Sequence, residues 1–212
     1  MHLRVGVLFW LTIGGALGCA SDPSGTRMLG AMTSVDASVR RAAFESGHGG
    51  RIDGDRRAKL EAIVAQFTGS DWQGPTIRVA VLASDNPNAY VLASGHLYAT
   101  LGLFDEVCTD DELAAVVAHE LAHLHDLRSF FDFNLTPEQR LEIEAQADTL
   151  ALGMLRAAGY RVTALPEMVN RLANEQPDGW ARHRCDRISA LIDEAEHVAF
   201  ADGASAAEAF TP

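Results

Sequence analysis

Positive charge is what this chain is short of: 17 Lys and Arg stand against 29 Asp and Glu, a formal net charge of -12. So acidic a surface opposes tracking of a phosphate backbone and attraction to anionic lipid headgroups, so no nucleic-acid partner is expected. Cysteine is scarce, with three in 212 residues. No internal repeat is present, and no run past the first twenty residues is long and apolar enough to span a bilayer. What is there, 212 residues that are 48% hydrophobic, suits one well-packed domain and is hardly enough for two.

The first residues have a short basic start and then an apolar run from Val5 to Leu17, too short to cross a membrane comfortably, so residues 1–19 read as an export signal. The run ends Ala16-Leu17-Gly18-Cys19 and continues Ala20-Ser21-Asp22. Small residues before a cysteine resemble the bacterial lipobox, in which that cysteine is lipidated after cleavage and anchors the protein to a membrane. Leucine usually stands three residues before the cysteine, where this chain has Ala16, so plain cleavage or an uncleaved anchor stays open beside lipidation of Cys19. Either way the domain is expected outside the cytoplasm, in the cell envelope. In an oxidising compartment Cys108 and Cys185 can form a disulfide or stay as two separate buried thiols.

Residues 20–55 are rich in Ser, Gly, Ala and Asp and read as a flexible tether with one short helix over 35–44. The domain proper is expected over 56–198, and 199–212 as a loose tail. Leu60, Ile63, Val64 and Phe67 recur at helical spacing over 56–68. Three β-rich runs follow, at 76–83, 89–93 and 96–101. Thr109 with Glu112 three residues on reads as a capping box that opens a helix over 109–126. Thr136-Pro137-Glu138-Gln139 gives a second helix an N-cap, a proline at its first position and a capping glutamine, and Gly159 stops it after Ala158. A shorter helix is expected over 163–174, a loop over 175–185, and a last helix over 187–197 capped by Asp186. Phe130, Phe131 and Phe133, between the two strong helices, are expected in the core. The fold class is α+β: mostly helical, with a small β-sheet beside the helix that begins at Thr109.

That helix carries His119-Glu120-Leu121-Ala122-His123, the order His-Glu-x-x-His. Histidines four apart lie one above the other on a helical face, close enough for both imidazoles to hold one cation, with the glutamate on the flank. Leu113, Val117, Leu121 and Leu124 form an apolar stripe facing away from them. His125 is turned about 200° from His123 and away from the metal. Catalytic zinc takes three protein ligands and leaves a fourth position to water, so a third ligand must come from elsewhere. Glu144 and Asp148 are four apart on the second strong helix: Glu144 can ligate, and Asp148 can accept a hydrogen bond from the outer nitrogen of a ligand histidine. The plainer alternative for His119, Glu120, His123 and Glu144 is a buried polar cluster or a salt-bridged helix face.

Several stretches in register resemble the zinc metallopeptidases that include the HtpX-like heat-shock proteases and the CaaX prenyl proteases. They are 111–116 (DELAAV), 118–123 (AHELAH) and 144–148 (EAQAD), with Asn88-Ala89, Gly95, Leu97, Tyr98, Gly102-Leu103 and Ala158-Gly159-Tyr160 around them. The resemblance runs from about Asn88 to Tyr160, with a weaker tail at Arg187-Ile188. It implies a zincin-like domain of the gluzincin type, with one Zn2+ on His119, His123 and Glu144, Glu120 as general base, and peptide-bond hydrolysis without a covalent intermediate. Asn88-Ala89 looks like the family's substrate-facing edge, along which a polypeptide binds in extended form. The family often has a histidine followed by proline upstream of its final Arg-Ile. Here His183 has no proline and lies only four residues before Arg187, so it is a candidate to stabilise the oxyanion, to close the fourth zinc position, or to do neither.

Overall fold

The computed structural model describes residues 34–126, 130, 134–172 and 180–201. The export signal, Cys19, Phe131, Phe133 and the tail beyond 201 lie outside the described residues.

The order along the chain is α1 (Ser34–Gly47), β1 (Arg51–Ile52), α2 (Asp55–Phe67), β2 (Arg78–Leu82), β3 (Ala89–Val91), β4 (His96–Thr100), α3 (Leu101–Glu106) and α4 (Asp110–Ala122). A 3-10 turn, His123–His125, extends α4, and α5 (Pro137–Ala157), α6 (Ala164–Leu172) and α7 (Trp180–Ala201) follow. The α+β expectation holds: helices surround one mixed sheet of order β1-β2-β4-β3, with β2 parallel to β4 and both edge strands antiparallel.

The two sides of this sheet follow from the period-2 alternation of its strands. Val79, Ala89, Val91, Leu97 and Ala99 join the main core with α2, α4, α5 and α6. Ala80, Leu82 and Tyr98 point the other way, where Phe44 of α1 packs on them. The Tyr98 hydroxyl donates to Glu45 Oε1 at 2.8 Å, and Arg51 pairs with Leu82 in the sheet. The second half of the stretch read as a tether is therefore built into the fold, covering a sheet face that would otherwise expose Tyr98 and Leu82. Its polar composition hid this because the contacts are with residues some fifty positions away.

α4 runs through the centre. Thr109 and Glu112 form the expected capping box, and Glu112 also takes a 2.6 Å ion pair from Arg171 of α6. Every residue from Glu112 to Ala122 is buried, not only the Leu113, Val117 and Leu121 stripe. Ala114, Ala115, Ala118 and Ala122 make the other faces thin enough for α2, β3, α5 and α6 to close around the helix. α5 begins with the capping box of Thr136 and Gln139 and ends at Gly159, whose φ of 78° suits glycine.

Two stretches differ from expectation. α3, a helix not expected from the sequence, continues directly from β4: Thr100, fully buried, accepts from the Leu103 amide and caps it, so the strand read over 96–101 ends at Thr100. The last helix begins at Trp180, not after Asp186, so His183, Arg184 and Cys185 are helical. Cys108 and Cys185 are both free thiols: Cys185 donates to the Pro166 carbonyl, and Cys108 to that of Glu106.

Candidate metal centre

His119 and His123 leave the end of α4 and meet Glu144 from the middle of α5, the helix packed most extensively against it. His119 Nε2 and His123 Nε2 are 3.2 Å apart; Glu144 places Oε2 3.4 Å from the first and Oε1 3.5 Å from the second. The two rings stand nearly perpendicular, at 83°. Zinc bonds of about 2.1 Å in tetrahedral geometry separate neighbouring ligand atoms by about 3.4 Å, so these three spacings match the edges of such a site. Glu144 Oε2 is buried between two cationic neighbours, His119 Nε2 at 3.4 Å and Arg184 Nη1 at 3.2 Å.

Asp148, one turn beyond Glu144, is fully buried with Oδ1 3.0 Å from His119 Nδ1. This is the partner expected for it, on the nitrogen that faces away from the cluster. Sequence reading missed what lies behind Asp148. Arg184 of α7 is buried, donates from Nε to Asp148 Oδ2 at 2.9 Å and from Nη2 to Oδ1 at 2.6 Å, and brings Nη1 to 3.2 Å from Glu144 Oε2. Arg187 adds a bond from Nη2 to Asp148 Oδ2 at 2.6 Å. The available signal was periodicity: Arg184 heads the stripe Ile188, Ile192 and Ala195, all buried, where an apolar residue would be ordinary. His183, beside it, is exposed on α7 and is not part of the cluster; the register that buries Arg184 turns His183 outward. His125 is exposed, its ring edge-on to Trp72.

The electrostatics of the protein groups alone favour a cation at this spot. Burial and Arg184 disfavour a charged His119, yet bonds to Asp148 and Glu144 outweigh them and hold its pKa up at about 9. Burial, with His119 beside it, lowers His123 to about 4, leaving a neutral imidazole. Glu144 is driven up by burial but held down at about 2 by Arg184, His119 and His123, and Asp148 is held below the ordinary range by Arg184 and His119 against the same burial. A metal ion can replace the proton on His119, as metal binding at histidines does. Glu120 is raised to about 7, chiefly by burial and then by Glu144, with the nearby Val91 backbone pulling the other way. A carboxylate poised there can accept a proton near neutrality.

Asn88 and Ala89 are held at the start of β3. Thr100 Oγ1 accepts from the Asn88 amide at 2.9 Å and donates to the Asn86 carbonyl at 2.7 Å. Gly102 passes so near the Asp85 carbonyl that a Cβ there would lie 2.1 Å from its oxygen. β3 is a sheet edge, as a substrate-facing strand requires, and its Val91 reaches Glu120. Two of its three residues are nevertheless covered, Ala89 at 6% exposed and Val91 at 0%, while Tyr90 is half-buried.

Fold and site together define a class: an α+β domain in which two histidines of a His-Glu-x-x-His helix and a glutamate of a second helix could hold a metal ion beside a buried glutamate. Residues 53–131 match the family model of Peptidase family M48, which supports a metallopeptidase. The match takes in His119, Glu120 and His123 and ends before Glu144, Asp148 and Arg184. The chain matches no curated protein.

Proposed function

We propose that this chain is a zinc endopeptidase related to the HtpX-like metallopeptidases, hydrolysing exposed or unfolded segments of polypeptides in the cell envelope. The observation that carries the reading is the triangle of His119, His123 and Glu144 donor atoms, with edges of 3.2, 3.4 and 3.5 Å, one residue away from a buried glutamate. Zinc bound there supplies Lewis acidity toward water and toward a peptide carbonyl. Glu120 takes the proton from the attacking water and passes it to the leaving amine. Asp148 keeps the His119 ring turned toward the cluster. Asn88 and Ala89 receive the polypeptide in extended form along β3.

A second reading is a latent zinc-bound binding or chaperone-like module. One observation favours it: His119, Glu120 and His123 are only 1%, 3% and 2% exposed, so a substrate needs an opening to reach them. Cleavage of an unfolded polypeptide by the zinc-loaded wild type, set against Glu120→Gln, separates the two. Export and a lipid anchor at Cys19 complete the proposal. No helix among the described residues is long and apolar enough to cross a membrane, so the anchor rests on the leader alone.

A further inference from the structure

Glu144 and Asp148 are like charges one turn apart on the same face of α5, with side chains 17% and 0% exposed. Buried carboxylates in this arrangement repel each other and lose their hydration, and an uncompensated buried charge is strongly destabilising. A bound metal ion supplies compensation, but the chain must fold before a site made from two helices exists to bind one. The guanidinium of Arg184 reaches both carboxylates, with a two-pronged bond to Asp148 and its Nη1 3.2 Å from Glu144 Oε2. Its Nη2 also lies 3.2 Å from each ring nitrogen of His119, so the charge sits against the metal-facing group itself. Arg187 cannot replace it, since it is partly exposed and bonds only to Asp148.

We infer that Arg184 is the built-in counter-cation of the metal-free site: it lets the domain fold before zinc is loaded, and it weakens zinc binding by standing where it repels the incoming ion. This rests on the metal-site reading above and adds that the site exists preformed, with a metal that loads after folding and exchanges. Arg184 is a positioning residue, not a catalytic one. The role has a signature that an ordinary structural residue lacks. Loss of a packing contact lowers stability equally with and without zinc, whereas loss of a counter-cation is made good by zinc.

The test combines thermal melting with zinc affinity, measured by chelator competition, on the full chain of the wild type and of Arg184→Met, Arg184→Lys, Arg187→Met and His119→Ala. The metal-free wild type is expected to melt cooperatively. Arg184→Met is expected to melt about 10 °C lower without zinc, to recover most of that with zinc, and to bind zinc roughly tenfold or more tightly than wild type. Arg184→Lys keeps the charge and is expected to restore most of the metal-free stability; Arg187→Met is expected to lose less than Arg184→Met. Equal losses with and without zinc, or unchanged or weaker zinc binding in Arg184→Met, overturn the inference. So does an Arg184→Met chain that stays unfolded with zinc while Arg184→Lys behaves like wild type toward zinc and melts as low as Arg187→Met. If wild type and His119→Ala respond to zinc alike, the metal site itself is wrong and the inference falls with it.

Discussion

Replacing Glu120 with glutamine should stabilise the metal-free protein, and only above a certain pH. Glu120 is 3% exposed, and its pKa stands at about 7 against an ordinary 4.5, with burial the largest cause. A carboxyl raised in this way keeps its proton in the fold at pH values where the unfolded chain has lost it. Stability is therefore fully present below pH 4.5 and falls as pH rises through about 7. At about 1.4 kcal/mol per pKa unit, the penalty approaches about 3 kcal/mol at pH 8. Glutamine keeps the volume but has no charge to bury. Urea titrations of metal-free wild type and Glu120→Gln should give similar stabilities at pH 4.5 and a gap of about 3 kcal/mol in favour of the variant at pH 8. With zinc the gap should shrink, because the ion compensates the charge. A gap that is the same at both pH values would refute the assignment of Glu120 as a desolvated carboxyl facing the site.

Three further expectations follow from the same geometry. Wild type should bind one zinc per chain, and His119→Ala and Glu144→Ala should each bind none under the same dialysis; equal metal content by atomic spectroscopy in all three would reject the ligand set. Gly102→Ala should cost about 2 kcal/mol or more in urea titration, because the added Cβ meets the Asp85 backbone 2.1 Å away; a neutral change would mean the β4–α3 corner is not as tightly set as it looks. The mature protein should carry diacylglycerol on Cys19, and an intact mass that retains Met1, or a cut elsewhere, would remove the lipid anchor.

Much of the site could be read from the sequence because local rules wrote it. The Thr109–Glu112 and Thr136–Gln139 capping boxes start the two site helices, and a spacing of four places His119 above His123 and Glu144 beside Asp148. The match over residues 53–131 bears on the first of these helices only. What stayed hidden depends on distant contacts. α1 gave no sustained apolar period, since Phe44 and Glu45 acquire their roles only when Tyr98 arrives from β4. The unbroken burial of α4 from Glu112 to Ala122 comes from neighbours that close over its alanines, and no stripe announces that. Most telling is the pair His183 and Arg184. A histidine in an apparent loop attracted the chemistry, while the arginine after it was given no role. Helical register from Trp180 reverses them, turning His183 to solvent and Arg184 onto Asp148 and Glu144.

The central claim, that a metal held by His119, His123 and Glu144 works with Glu120 to cut peptide bonds, is tested most directly by one comparison. Zinc-loaded wild type and Glu120→Gln, with equal metal content and equal far-ultraviolet spectra, are incubated with an unfolded polypeptide and the fragments are counted by mass spectrometry. The account predicts new amino termini with the wild type and at least about a hundredfold fewer with the variant. No cleavage by the wild type, or equal cleavage by both, would contradict it.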